Sequence, residues 1–346
     1  MFYLLWILII AFAVFGLVLF FEGFATYIER KVSADIQLRI GPNRAGPLGL
    51  LQFIADGIKL ILKEDLIPVA GDRMLFRTAP YIAFLGSFVA FGAIPFSENV
   101  LTVDMNIGLL FVLGFSGLVA IAIIFGGWAS ANKWSLLGGM RSAAQIVSYE
   151  LPVFLSFLIP VTIAGSLSLR DISLQQRGLV NWFIFHNPFA FLAFVVAFVA
   201  SVAECNRTPF DLPEAESELV AGYHTEYSGM RFAIWFMGEY GEMLLVSLLL
   251  TITFLGAWDF PFVILLKNVI LRNMVEILFF IGKGISLVLV MMWIRWTLPR
   301  LRIDQLTAFS WGFLLPLSFI NLIGNTLWLY LFNHLNAFKV LSRVLT

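Results

Sequence analysis

Long apolar runs are the feature of this sequence that most constrains its fold. A helix needs about 20 apolar residues to cross the hydrocarbon core of a bilayer, and eight runs of that order recur along the chain. They lie near 3–25, 78–96, 107–127, 146–167, 187–203, 233–257, 274–296 and 309–333, and the fifth run is the shortest. Hydrophobic residues make up 60% of the chain and charged residues only 13%, unlike the composition of a soluble domain. The sequence therefore predicts an all-α integral membrane protein with eight transmembrane helices.

Lysine and arginine are unequally divided between the segments that connect these runs. Segments 26–77, 128–145, 204–232 and 295–308 carry fifteen of them, whereas the other side and the C-terminal tail carry six. By the positive-inside rule, the first set faces the cytoplasm or matrix and both termini face outside. We expect residues 1–346 to form a single membrane domain, without the internal repeats of many secondary transporters.

The remaining composition limits the chemistry that this chain can perform alone. The first apolar run has no charged region before it and no cleavage site, which predicts a retained span and favours a bacterial or organelle-encoded protein. The 22 basic and 22 acidic residues balance, so nucleic acid is not an expected partner, whereas protein and lipid are. One cysteine and three scattered histidines predict no metal or haem site. Any redox centre is expected in another subunit.

The segment GLLQFIADGIKLILKED, residues 49–65, is too short and too charged to span the bilayer. Its polar residues Gln52, Asp56, Lys59 and Lys63 recur at intervals of four, three and four, which places them on one face of a helix. This pattern is typical of a helix that lies in the membrane interface. Such a helix either packs passively on the membrane domain or borders an opening through which a lipid-like molecule enters.

A second connecting segment, 204–232, concentrates negative charge. Its acids are Glu204, Asp211, Glu214, Glu216, Glu218 and Glu226. Asp211 and Glu214 have the spacing of a capping box, which predicts a short helix that begins near residue 212. Glu214 and Glu218 would then share a face, and their repulsion favours the binding of protons. A solvated acidic loop is the simpler interpretation.

Charged residues also occur within the apolar runs. Glu150 begins the fourth span and Glu239 lies in the sixth, together with Glu242. Because a charge inside the bilayer costs at least a few kcal/mol, such residues indicate a path for protons or ions. Glu276 and Lys283 in the seventh span are seven residues apart, so a structural pair or a contact with another subunit is the alternative for them.

Four long motifs closely resemble a membrane component of respiratory complex I, the proton-pumping NADH:quinone oxidoreductase; it is called subunit 1 in mitochondria and the H subunit in bacteria. They are ERKVSADIQLRIGPNRAGPLGLLQFIADGIKLILKED (29–65), RSAAQIVSYELP (141–152), AECNRTPFDLPEAESELVAGYHTEYSGMRF with its continuation GEY (203–232 and 238–240) and RWTLPRLRIDQL (295–306). The resemblance covers nearly the whole chain, in the same order. The acidic loop and the C-terminal region resemble bacterial members, which implies the bacterial plasma (inner) membrane, with the mitochondrial inner membrane as the alternative.

The resemblance implies a subunit at the heel of an L-shaped complex. There it would form the quinone chamber with hydrophilic subunits that carry the terminal iron–sulfur cluster, and contact small and antiporter-like subunits of the membrane arm. Quinone would be the substrate, while the iron–sulfur clusters and FMN would belong to partner subunits. The residues implied for the quinone path are Arg30, Arg39, Asp56, Lys59, Glu214, Glu216 and Glu218. Those implied for a proton or charge relay are Arg141, Glu150, Glu204, Glu226, Glu239 and Tyr240.

Three other functions predict different features. The membrane subunit of a related hydrogenase- or ferredoxin-linked complex would place a similar loop in the same position, but the loop quoted above resembles the quinone-using form more closely. A stand-alone transporter would be expected to have broken helices in matching halves, which the sequence does not indicate. A passive anchor for peripheral enzymes would leave the charged spans without a role.

Overall fold

The structure is a computed structural model that describes residues 2–213, 216–260 and 268–345, with side chains in these ranges except at 2–9, 179, 216, 217 and 333–345. The described part is helical and contains no strand. Its α-helices are α1 (Phe2–Ile36), α2 (Gln52–Leu62), α3 (Arg73–Ala90), α4 (Gly108–Ala129), α5 (Lys133–Ala164), α6 (Leu169–Gln175), α7 (Phe183–His186), α8 (Pro188–Glu204), α9 (Glu216–Leu219), α10 (Gly229–Phe254), α11 (Val269–Thr297), α12 (Ile303–Phe309) and α13 (Leu315–Leu345). Short 3₁₀ turns lie at Pro47–Gly49, Phe91–Ala93, Leu179–Asn181 and Gly222–His224, and a π-helical turn at Ser310–Leu314 joins α12 to α13.

Among the described residues, seven helical segments are long and apolar enough to cross a membrane. They are Ile10–Ile36, Arg73–Ala93, Gly108–Ala129, Lys133–Ala164, Gly229–Phe254, Val269–Thr297 and Ile303–Phe332. The eighth predicted span corresponds to α8, a shorter apolar helix of 17 residues. At 1.5 Å per residue α8 is about 26 Å long, close to the thickness of the hydrocarbon core of a bilayer. The all-α membrane fold is thus confirmed, and the run predicted to be shortest is the shortest helix of the set.

Polar contacts divide the connecting segments into two separate ends. At one end, three ion pairs join segments that were all predicted to face inside: Arg141 with Glu218, Arg231 with Asp65 and Arg300 with Asp211. At the other end, two ion pairs join segments predicted to face outside: Arg170 with Asp104 and Arg177 with Glu98. Eight membrane crossings require that successive connecting segments lie alternately at the two ends of the bundle, as these ion pairs do. Which end faces the cytoplasm remains a prediction from the charge distribution.

The spanning helices extend beyond their apolar runs. α1 continues to Ile36 and therefore includes the first part of segment 26–77, while α5 begins at Lys133 and includes most of segment 128–145. The apolar runs thus underestimate the lengths of these helices, because helical turns that project beyond the hydrocarbon core are polar and leave no hydropathy signal. The start of α5 is fixed locally, since the Asn132 side chain accepts a hydrogen bond of 2.9 Å from the backbone N–H of Trp134.

Two glycines hold the projecting part of α5 against the acidic segment. A Cβ atom on Gly138 would lie only 2.8 Å from the Cα atom of Gly222, so the two backbones are in direct contact. The Ser135 hydroxyl donates to the carbonyl oxygen of Tyr223 at 3.2 Å from the same face. The end of segment 204–232 is consequently packed on a transmembrane helix, unlike a free surface loop.

The predicted amphipathic helix is present as α2, which is shorter than the interval 49–65. It packs against α1 and α10, and a Cβ atom on Gly23 of α1 would lie 2.9 Å from the Phe53 ring. The Gln52 amide donates to Asp56 at 3.0 Å on the polar face. Leu62 is 81% exposed on the apolar side, so this side is available to contact lipid. Its position in the membrane interface stays a prediction.

The structure differs from the helix predicted to begin near residue 212. Residues 211 and 212 are not helical, and the short helix α9 is described over Glu216–Leu219. Asp211 instead accepts a hydrogen bond of 3.0 Å from Arg300, because the segment turns back against the region that precedes α12. The partner predicted for Asp211 in the capping box, Glu214, lies outside the described residues.

Candidate functional site

A cavity of about 490 Å³ lies between α1, α2, α10 and α11, at the end of the bundle that carries the acidic segment. Its apolar walls include Leu19, Phe53, Leu60, Ile61, Phe232 and Phe236. Its polar lining includes Glu22, Glu29, Arg30, Asp56, Tyr240 and Arg295. An apolar cavity with a few convergent polar groups is typical of a site for a small organic ligand.

The ion pair between Arg30 and Asp56 closes the cavity on the side of α2. Their nearest nitrogen and oxygen atoms are 2.5 Å apart, and the side chains are 50% and 24% exposed. The pair joins α1 to α2 across the gap between the two helices. Such a partly solvated pair contributes little stability, so it can rearrange when a ligand enters. These two residues, both predicted for the quinone path, are therefore brought together at the cavity.

A buried cluster around Glu29 forms the most strongly charged part of the cavity. The Tyr240 hydroxyl donates to Glu29 Oε2 at 2.5 Å, and Arg295 donates to Glu29 Oε1. Arg207 lies 3.5 Å from the same carboxylate and stacks over the Tyr240 ring at 4.3 Å. Glu29 and Arg207 are each only 5% exposed. The cluster thus places two guanidinium groups and one carboxylate beside an apolar chamber, where water screens them little.

Glu239 lies at the junction between α10 and the acidic segment. It accepts a hydrogen bond of 2.7 Å from the Tyr223 hydroxyl, and its carboxylate is 3.0 Å from His224 Nε2. Tyr223 and His224 belong to the 3₁₀ turn Gly222–His224 and are nearly inaccessible to solvent. Glu239, predicted for the relay, therefore contacts a second group that can carry a proton near neutral pH.

Glu150 and Glu204 meet at a smaller cavity of about 180 Å³ between α4, α5 and α8. Glu204 is 2% exposed and accepts a hydrogen bond of 3.4 Å from the Ser116 hydroxyl. Both carboxyl groups, which were predicted for the relay, line this cavity together with apolar side chains. Glu242 of α10 is also buried and lies within electrostatic reach of Glu204.

The acidic segment is paired with the transmembrane helices at several points. Arg141 of α5 binds Glu218 at 2.7 Å, and Glu226 accepts a hydrogen bond of 2.6 Å from Asn132. Burial raises the pKa of the Asp211 carboxyl to about 6, although the Arg300 guanidinium beside it acts in the opposite direction. The side chains of Glu214 and Glu216, both predicted for the quinone path, lie outside the described residues.

Two residues predicted for the quinone path lie away from the cavity wall. Arg39 is exposed beyond the end of α1, where its Nε donates to Gln37 at 2.6 Å. Lys59 is exposed on α2. Neither lines the cavity, so a role for them would concern access from the outside of the chamber.

Glu276 and Lys283 of α11 do not pair with each other. Glu276 binds Arg272 at 2.8 Å. The Lys283 ammonium donates to three backbone carbonyl oxygens that follow α10, those of Leu255, Ala257 and Asp259, at 2.9–3.1 Å. The reason is geometric, because a helix end leaves carbonyl groups unsatisfied and a cation there is stabilised.

Four charged residues of the cavity region were not predicted as site residues, namely Glu22, Glu29, Arg207 and Arg295. Glu29, Arg207 and Arg295 are far apart in the sequence and meet only because α1, the segment after α8 and α11 all contact α10. In the sequence these residues stand out only as charged residues of the segments predicted to face inside, and this charge does not indicate which of them form ion pairs. Glu22 could have been found, because it is an acid within an otherwise apolar span.

Comparisons with known proteins give a consistent result along the chain. The sequence profile of the family described as NADH dehydrogenase matches residues 7–326. Proteins named as the H subunit of NADH-quinone oxidoreductase are similar: that of Chlorobaculum tepidum is 46% identical over 316 residues, covering 88% of this chain and 87% of the relative. The protein from Anaeromyxobacter dehalogenans is 43% identical over 345 residues, covering 94% and 83%. The protein from Geobacillus thermodenitrificans is 49% identical over 305 residues, covering 87% and 88%.

Proposed function

Because the chain belongs to the NADH dehydrogenase family, with relatives named as the H subunit of NADH-quinone oxidoreductase, we propose that it is the membrane subunit of a proton-translocating NADH:quinone oxidoreductase. In this function it forms the quinone chamber and couples quinone reduction to proton movement through its buried acids. The names of its relatives favour this function over the hydrogenase- or ferredoxin-linked alternative. Quinone is the substrate of the complex, and electrons reach it from iron–sulfur clusters and FMN held by partner subunits.

The cavity of about 490 Å³ is the observation that carries the proposal. Its size fits the range of ligand pockets, and its apolar walls suit an isoprenoid-like tail. The exposed apolar side of α2 faces away from the cavity while Asp56 faces into it. A quinone in the membrane would thus pass α2 to enter, and the ion pair between Arg30 and Asp56 would mark the opening.

The charged cluster supports the binding of the reactive end of a quinone. Quinone carbonyl oxygens accept hydrogen bonds, and the guanidinium groups of Arg295, on the cavity wall, and of Arg207, which stacks on Tyr240, are donors there. Reduction adds negative charge to the ring, which these cations stabilise in a poorly screened environment. The added negative charge would also repel the carboxylate of Glu29, which binds these donors.

The chain of acids supports the coupling role. Tyr240 contacts Glu29 in the cavity, while the adjacent Glu239 contacts His224 beneath the acidic segment. Glu204 and Glu150 lie further along, at the smaller cavity. Carboxyl groups in such surroundings exchange protons when a nearby charge changes. We assign Arg141, Glu150, Glu204, Glu226, Glu239 and Tyr240 to this relay.

The end of the bundle that carries the acidic segment is where we place the hydrophilic partner subunits. Glu218 is 54% exposed there while it binds Arg141, and Arg39 and Lys59 are exposed at the same end. The small and antiporter-like subunits are assigned to the lipid-facing sides of the helices. The bacterial plasma (inner) membrane is the proposed location of this multi-pass protein.

Affinity capture of this chain from gently solubilised membranes tests the proposal. The captured complex should oxidise NADH only when a quinone is added, and it should show iron–sulfur signals. A quinone that carries a photoreactive azide should label peptides of α1, α2 or α10, and excess unmodified quinone should block the labelling. Hydrogenase or ferredoxin activity without quinone reduction would assign the chain to the related complex.

Two matched variants test whether the labelling is specific to the cavity. Arg30→Gln removes one partner of the ion pair at the cavity, and Arg170→Gln removes the corresponding partner of a similarly exposed pair with Asp104 at the opposite end. Labelling should fall in the first variant and persist in the second. Equal labelling in both would contradict the assignment of the cavity.

A further inference from the structure

A second large cavity, of about 520 Å³, lies between the ends of α8 and α11, the segments that follow them, and α12. Its walls include Val199 of α8, Ile294 of α11 and Phe309 of α12. Gln305 is the only polar residue among the described residues that line it, and its amide oxygen already accepts a hydrogen bond of 3.2 Å from the backbone N–H of Arg302. The cavity therefore suits a hydrocarbon group better than a polar ring.

This cavity lies at the level where two membrane-spanning helices end. Val202 in its wall belongs to the last turn of α8, and Leu298 directly follows α11. Leu298 is 50% exposed, so the cavity is open to the surroundings at this point. Trp293 and Trp296 on the last turns of α11 are 61% and 36% exposed, and exposed tryptophans at the end of a span are typical of the membrane interface. The opening is therefore expected where lipid headgroups meet acyl chains.

The segment that joins α11 to α12 has an apolar wall and a cationic margin. Pro299 and Leu301 line the cavity, and they alternate along the chain with Arg300 and Arg302, which are both exposed. The Leu301 N–H donates to the carbonyl oxygen of Pro209 at 3.1 Å, which holds the segment against the opposite wall. Apolar side chains thus face the cavity while guanidinium groups lie next to it.

One of these two guanidinium groups is available to an anion. Arg300 binds Asp211 at 3.0 Å. Arg302 forms no ion pair with any residue that the structure describes, and the exposed Asp304 two positions further on does not reach it. The margin of the cavity therefore offers a positive charge that is not neutralised by the chain itself.

We propose that this cavity binds an acyl chain of an anionic diacyl phospholipid, with the phosphate group beside Arg302. A helix of a partner subunit, about 10 Å wide with its side chains, is too wide to enter such a cavity, whereas a flexible hydrocarbon chain can enter and needs no hydrogen-bond donor. Arginine is a strong donor to phosphate, and basic residues at the end of a span attract anionic lipids. The site is separate from the cavity assigned to quinone, and it does not depend on the proposed function.

Photolabelling with a lipid tests this site. The probe is phosphatidylglycerol with a diazirine at the end of one acyl chain, added to the captured complex in phosphatidylcholine vesicles. Label should appear on residues 198–202 or 294–301. Unlabelled phosphatidylglycerol should compete about fivefold more effectively than phosphatidylcholine with the same acyl chains, because one basic residue near the headgroup favours a lipid of net negative charge by about this factor.

Two pairs of variants separate the acyl chain from the headgroup. Val199→Trp fills the cavity and should remove most of the label, whereas Val195→Trp, one turn away on α8 at a position that is 40% exposed and does not line the cavity, should retain it. Arg302→Gln should leave the label in place but abolish the preference for phosphatidylglycerol. Arg77→Gln changes an exposed arginine of α3 away from the cavity and should leave that preference unchanged.

Three results would overturn the proposal. Equal competition by the two lipids would show that no anionic headgroup is recognised. Loss of the label when excess long-tailed quinone is added would assign the cavity to quinone. No label at these residues, in a complex that is labelled elsewhere, would show that another subunit covers the cavity. If Val199→Trp fails to assemble, the lipid preference of Arg302→Gln relative to that of Arg77→Gln decides.

Discussion

Replacement of Glu29 by glutamine should destabilise the chain more than any loss of a surface ion pair. Glu29 is the carboxylate to which Tyr240 and Arg295 donate and beside which Arg207 lies. Removal of one partner from a buried ion pair costs about 3–5 kcal/mol. The Arg295 side chain is 24% exposed and can regain some hydration, so we expect a loss of about 2–3 kcal/mol in the free energy of unfolding.

Asp104→Asn is the matched reference for this change. Asp104 binds Arg170 at 2.8 Å, but both side chains are more than one third exposed, so its loss should cost at most about 1 kcal/mol. Pulse proteolysis of the captured complex at increasing SDS fractions, with the intact chain detected by its tag, gives the unfolded fraction for each variant. The double variant Glu29→Gln with Arg295→Gln should cost at least about 1 kcal/mol less than the sum of the two single changes. A loss for Glu29→Gln no larger than that for Asp104→Asn, or strict additivity, would refute the buried cluster.

Three further predictions concern turnover, access and pH. Glu218→Gln should lower quinone reductase activity while the complex still assembles, because this acid is paired at the surface of the acidic segment; normal turnover and normal proton pumping, followed with a pH-sensitive dye, would remove it from the coupling. Arg39→Ala should weaken the use of long-tailed quinones more than that of short water-soluble analogues, and Arg30→Ala should do so more strongly because Arg30 lines the cavity; equal loss for both quinone types would exclude the entrance role. Burial raises the pKa of Asp211 from 3.8 to about 6 in the folded chain despite the nearby Arg300, so the folded state binds more protons there than the unfolded state. The unfolding free energy of the wild type relative to Asp211→Asn should therefore be greatest below pH 3.8 and fall by about 2–3 kcal/mol as pH rises past 6; a pH-independent difference would contradict this.

The membrane fold was predictable because each span leaves a local signal. A continuous apolar run such as 107–127 needs no information about distant residues, and α4 covers it at Gly108–Ala129. The ends of α1 and α5 were not predictable in this way, since polar helical turns outside the bilayer have no hydropathy signal. Their stability comes from contacts such as the backbone approach of Gly138 to Gly222, which involve residues from separate parts of the chain.

The candidate site was predictable to a more limited extent. The structure pairs Arg30 with Asp56 and places Glu150 and Glu204 at one cavity, and the roles that the family resemblance implied for these residues stay predictions. The cluster around Glu29 was missed, because its four members come from α1, the segment after α8, α10 and α11. Residues 211 and 212 are not helical as predicted, and Asp211 accepts a hydrogen bond from a tertiary partner, Arg300, that no local pattern identifies.

One turn of α10 contacts the acidic segment, the main cavity and the surroundings of Glu204. Successive residues of a helix project about 100° apart, so Glu239, Tyr240, Gly241 and Glu242 point in different directions. They meet the 3₁₀ turn of the acidic segment, the Glu29 cluster, the Glu22 carboxyl group and the surroundings of Glu204, respectively. In the most apolar stretch of α10, 83% of the residues are buried, more than in any other spanning helix described. A rotation or shift of this helix would therefore change the cavity and the proposed relay together, which gives a physical route from the proposed quinone site to the acids that we assign to the relay.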